Sequence, residues 1–295
     1  MQKMHLKFYD SVHDFFEETH VTDVKKYTEG MKSENRYQIE RCSQNDDRFH
    51  GNHEKLYKKY KNHDVKKEAG IMSGVLSDIN TADFEEQKWE FRQRLEEGDV
   101  IDINRYLDGQ EKFWAGVKRV MRTKQVVRVY FNIGGNCNRS AEELAVSGAL
   151  AVTLTEILES MGIGVELWGC GFSTTLACDE EDRDVNGGTL IKLKASDEFS
   201  DLGMINYVCG NSHVFRNQMF ISWCKMCHEH NLVVYDNLGH CRDASLSDIG
   251  LTEEEAENAI VIPHFYTVPE AKQWLIDIFN NLKETLRGKK KEEAK

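Results

Sequence analysis

The stretch SWCKMCHEHNLVVYDNLGHC, residues 222–241, brings Cys224, Cys227, Cys241, His228, His230 and His240 close together in the chain. Thiolates and imidazoles are zinc ligands, and Cys-x-x-Cys-His is also the spelling of covalent haem attachment. Haem attachment requires an exported chain, yet the N-terminus MQKMHLKFYDSVHDFF has no apolar signal core. A redox pair belongs at a helix start, where the dipole lowers the thiol pKa, whereas this pair falls near a helix end. A zinc site would draw on Cys224, Cys227 and His230. His240 and Cys241 are adjacent, however, and cannot both turn toward one ion from an extended chain. The expected role is that of buried thiols, with no cofactor.

The glycine-rich NIGGNCNRS, residues 132–140, sits between an expected strand and an expected helix, where phosphate loops occur. It has neither the Gly-x-x-x-x-Gly-Lys-Ser/Thr nor the Gly-x-Gly-x-x-Gly spacing, so a tight turn is expected. The eleven histidines are scattered and no Ser/His/Asp arrangement stands out. The expectation is a chain that is not an enzyme.

Positioning elements follow from periodicity. QVVRVYFNI (125–133), GVELWGCGF (164–172), TLIKLKA (189–195), NLVVYDN (231–237) and AIVIPHF (259–265) read as strands. Ser140 and Glu143 make a capping box for a helix that is apolar or small nearly all round, hence buried. Residues 211–230 form a helix, and Thr267 and Glu270 cap another that runs to Leu286. Strands alternating with helices mean a mostly parallel sheet flanked by helices. The expected division is an N-terminal helical and extended arm over 1–110, an α/β domain over 111–287 and a charged, frayed tail over 288–295. A helix is expected from Thr81 through TADFEEQKWEFRQRLEE. The segment from Tyr37 to Tyr60 has few aliphatics; its Tyr37, Phe49, Tyr57 and Tyr60 are expected to meet a partner or a second copy.

Of the 295 residues, 30% are charged, with a formal net charge of −12. Gripping phosphates takes a positive face, so nucleic acid is not expected as a direct ligand. No apolar run approaches the ~20 residues that span a bilayer. No membrane association is expected, and the expected location is the cytoplasm.

VVRVYFNIGGNCNRSAEELAVSGALAVTLTEILESMGIGVELWGCG, residues 126–171, resembles the first strand, first helix and second strand of a von Willebrand factor A-like domain. That family ends its first strand in Asp-x-Ser-x-Ser, which binds a divalent cation with a later threonine and aspartate. The matching positions here are Asn132, Gly134 and Asn136, so the motif is not intact. NLVVYDNLG resembles the strand carrying the later aspartate, which would be Asp236. The resemblance implies, as an alternative, a metal-dependent adaptor or enzyme using Asn132, Asn136 and Asp236. The strand run, the capped helix and HVFRNQMFISWC also resemble degenerate phage proteins of this type. Length and the charged N-terminal segment are similar to phage anti-defence proteins that block the bacterial Gabija system. That resemblance implies a homo-oligomer in the host cytoplasm that occludes a nuclease–NTPase defence complex.

Overall fold

The computed structural model describes residues 3–43, 53–62, 90–95, 100–101, 114–118 and 126–133. It also describes 141–293 apart from single positions at 161, 182, 199, 212 and 266. The β-branched and aromatic run VVRVYFN forms β5 (Val126–Asn132). Helix α5 (Ala141–Ser160) returns the chain to β6 (Gly164–Cys178), parallel to β5, with Asn132 against Cys170. β6 then doubles back as β7 (Asp184–Lys194), antiparallel to it. β10 (Ala259–Ile262) lies parallel on the other side of β5. β1 (Lys3–Tyr9) lies parallel to β7, so the sheet runs β1-β7-β6-β5-β10. Short β8 (Val233–Val234) and β9 (His240–Arg242) pair antiparallel with the later part of β6. The result is a mixed, mostly parallel sheet flanked by helices, in line with the sequence. NLVVYDN departs from expectation: only two of its residues form a strand, and that strand is antiparallel.

β2 (Glu90–Leu95), β3 (Val100–Ile101) and β4 (Trp114–Lys118) make a separate antiparallel sheet in the order β2-β4-β3. The helix expected from Thr81 is therefore a strand from Glu90; residues 81–89 lie outside the described residues. Phe91 and Leu95 are β-compatible residues, and Arg92, Gln93 and Arg94 between them suit either state.

The helices are α1 (Val12–Thr19), α2 (Val24–Tyr27), α3 (Ser33–Ser43), α4 (His53–Lys61) and α6 (Leu202–Gly210). A π-helical turn (Val214–Met219) runs straight into α7 (Phe220–Glu229). Two short helices, α8 (Leu246–Ile249) and α9 (Glu253–Glu257), precede α10 (Val268–Glu293). The Thr267 box caps α10 as expected: the Thr267 amide donates to Glu270 Oε2 and the Glu270 amide to Thr267 Oγ1. α10 continues helically to Glu293, past the start of the expected frayed tail. Ser140 lies outside the described residues.

Strand alternation sorts the sheet into two faces. Val127, Val129 and Phe131 join the large core with Leu150, Leu154 and Leu158 of α5, while Tyr130, Cys170, Phe172 and Leu190 form a smaller cluster with Ala244 and Ile249. α5 and α6 cross with their backbones in contact. A Cβ added at Gly148 would lie 2.6 Å from the Gly210 nitrogen.

The boundary expected near residue 110 does not separate two cores. Tyr9, Phe15, Phe16, Ile39, Cys42, Leu56 and Tyr60 belong to the same buried cluster as Val129 and Leu154. Each fully buried Phe contributes about 1.5–3 kcal/mol. A segment poor in aliphatics thus reaches the core through aromatic rings.

Candidate functional site

Cys224 and Cys227 lie on the inner face of α7 and are buried. Burial raises the Cys224 thiol well above its ordinary pKa and pushes Cys227 up to about 12, so neither offers a thiolate at neutral pH. His230 caps the exposed end of the helix, with its ring 4.1 Å from that of His5 on β1. Cys224, Cys227 and His230, the residues a zinc site would draw on, therefore do not converge. Among the described residues no group of three or more His, Cys, Asp and Glu could hold a metal ion.

Asn132 and Asp236 do not converge either. The Asn132 amide is buried and employed as a clamp: Nδ2 donates to Ile262 O at 2.8 Å and Oδ1 accepts from the Ala244 amide at 2.8 Å. It ties the ends of β5 and β10 to the chain after β9. Asp236 is exposed and follows β8; its neighbour Tyr235 bonds to Leu176 O, whereas Asn132 pairs with Cys170. Six steps along β6, from Cys170 to Leu176, at about 3.3 Å each separate those positions. Asn136 lies outside the described residues.

The expected interface aromatics divide. Tyr37 is 52% exposed on the outer side of α3, with the Arg41 guanidinium 5.6 Å from its ring centre. Tyr60 is buried and stacked on Phe16 at 4.2 Å, which removes it from any outer contact surface. Tyr57 is half-buried, stacked on His20 and bonded to Glu17. Phe49 lies outside the described residues.

What α3 and α4 do instead is clamp other elements. Asn35, fully buried, donates to Leu232 O at 3.0 Å and accepts from the Val234 amide at 2.9 Å, taking the place of a neighbouring strand for β8. Gln38 donates to Asp236 O at 3.0 Å. His53 on α4 accepts the Val21 amide at Nε2, 3.0 Å away. Burial, helped by nearby His20, holds its imidazole down at about 4. A polar side chain inside an expected arm was the available signal, since such side chains are buried when they serve backbone groups.

Sequence reading also missed one pair with chemical potential. Just past β10, His264 Nδ1 pairs with Asp243 Oδ1, and the His264 amide donates to that same oxygen at 3.1 Å. In the neutral tautomer that directs Nδ1–H at the carboxylate, Nε2 would carry the lone pair. That nitrogen is buried and has no hydrogen-bond partner among the described residues. Asp243 and His264 stand 21 positions apart at the ends of two strands, a separation no motif marks.

Residues 2–287 match the family model of a domain of unknown function, DUF7192. The chain belongs to the DUF7192 family. The matched stretch takes in the N-terminal helices and the β5–α5–β6 unit together, so DUF7192 spans both. No curated protein and no solved structure matches this DUF7192 chain. No helix among its described residues is long and apolar enough to cross a membrane.

Proposed function

We propose that this DUF7192 chain is a non-enzymatic protein-binding factor, built on a degenerate von Willebrand A-like scaffold, that acts as a homo-oligomer and occludes its target. The observation that carries the reading is the division of labour on α3. Its inner side, with Asn35, Gln38, Ile39 and Cys42, is buried, while Tyr37 stands out under Arg41. Tyr and Arg are the residues that most often anchor protein interfaces. The resemblance to phage anti-defence proteins supplies the target class, a Gabija-like nuclease–NTPase complex in the host cytoplasm. The net charge of −12 suits a target that holds nucleic acid in a basic groove. The test is capture of a purified Gabija complex by the wild type and by Tyr37→Ala/Arg41→Ala, with nuclease activity measured alongside. Stable capture and inhibition, weakened by the double change, are expected. Absence of both with a folded wild type overturns the reading.

A second reading, hydrolysis, rests on the Asp243–His264 pair, whose buried Nε2 would act as a base once the site opens to admit water. Turnover of an ester or phosphoester panel that disappears in His264→Ala would favour it over occlusion.

A further inference from the structure

The outer edge of β1 carries an inference that rests on the homo-oligomer proposed above and deepens it. β1 ends the sheet, and among the described residues no strand pairs with its outer edge. Edge strands are normally kept from pairing by prolines, bulges or outward charges. β1 contains no proline, and its register with β7 runs unbroken from Lys3↔Val185 to Tyr9↔Ile191. Lys7 is folded back onto its own chain, where Glu18 at 2.9 Å and Glu229 at 2.6 Å neutralise it. Alternation sends Tyr9 into the main core, while on the opposite face Met4 and Leu6 are only half-buried and Phe8 is 53% exposed.

We propose that β1 pairs antiparallel with β1 of a second copy of this chain, about a two-fold axis at Leu6. In that register Leu6 faces its own symmetry mate, and Met4 of each copy faces Phe8 of the other. Directly opposed side chains on one face have Cβ atoms about 4.5–5.5 Å apart, so the Met4, Leu6 and Phe8 side chains form a continuous apolar ladder across the axis. On the other face His5 meets Lys7, whose charge two carboxylates already balance. The face reads apolar in both directions from Leu6, which is what a self-complementary contact needs, and a two-fold contact closes on itself. A foreign strand would gain the backbone bonds without this matched ladder.

The full-length chain is weighed in solution by light scattering over a concentration series. A dimer, or a multiple of one, is expected. Phe8→Lys places an unpaired charge against Met4 of the other copy and weakens association by more than about tenfold, with an unchanged far-UV circular dichroism spectrum because Phe8 is exposed within one copy. Adding Met4→Glu restores association, because this register sets the new carboxylate opposite the new ammonium. Leu6→Cys cross-links on oxidation, whereas Met4→Cys alone does not. A Phe8→Lys chain with wild-type mass overturns β1 pairing while leaving oligomerisation through another surface. Failure of Leu6→Cys to cross-link overturns the register. A wild type that is monomeric throughout overturns both this inference and the homo-oligomer.

Discussion

Residues 3–43 and 53–62, on one hand, and the β5–α5–β6 unit, on the other, are held in the molecule by different means. In the second, aliphatic side chains are removed from water on both sides of a helix–sheet contact: Val129, Leu150, Leu154, Leu158 and Val165 are all buried. In the first, aliphatics are few. Aromatic rings plug the core, with Phe16 in contact with both Phe15 and Tyr60. Polar side chains then secure backbone groups of distant elements: Asn35 on β8, Gln38 at Asp236 and His53 at Val21. The difference teaches that poverty in Val, Ile and Leu does not by itself place a segment outside a core. Buried amides that complete another element's hydrogen bonding are directional, so they fix register as well as position.

Removing residues 1–107 is the harshest way to break the comparison. The loss takes β1 from the sheet and Phe15, Phe16 and Ile39 from the core. Circular dichroism should show no cooperative melt; a transition close to that of the full chain would mean the two regions fold independently. Asn35→Ala is next. It strips partners from two buried backbone groups, at about 1–3 kcal/mol each, so denaturant unfolding should report a loss of roughly 2–5 kcal/mol.

His53 sharpens the contrast through pH. Its imidazole titrates at about 4 when folded, against an ordinary 6.5. The unfolded chain therefore binds more protons between those values, and stability falls as pH drops through that window. A shift of this size corresponds to roughly 3 kcal/mol. Urea midpoints at pH 7 and pH 4.5 should differ for this reason, and His53→Gln should flatten the difference. On the aliphatic side, Gly148→Ala forces apart the α5–α6 crossing, with an expected cost of about 1–3 kcal/mol by thermal melting.

The β5–α5–β6 unit was legible because its chemistry is periodic: β-branched alternation, a capped apolar helix and a glycine stop are all local signals. The α10 cap was legible for the same reason. β1 was not, because KMHLKFY is a half-exposed edge strand whose Lys7 is balanced by the distant Glu18 and Glu229. α3 misled because its buried face is made of Asn35, Gln38 and Cys42 as well as Ile39, a polar surface until β8 lies beside it. The burial of Cys224 and Cys227 was legible, because they stand on an apolar helix face; the Asp243–His264 pair depends on which strand ends meet, and residue spacing does not carry that information. The Asn132 position was found, but its side chain proved to be a clamp between strand ends, with both amide atoms used.

The central claim is that the N-terminal segment and the sheet form one cooperative core. Native-state hydrogen exchange tests it most directly. The Val234 amide, bonded to Asn35, and the Val21 amide, bonded to His53, should exchange with the same opening free energy as the amides of β5. If those two amides exchange orders of magnitude faster while β5 stays protected, the segment opens on its own and the account is contradicted.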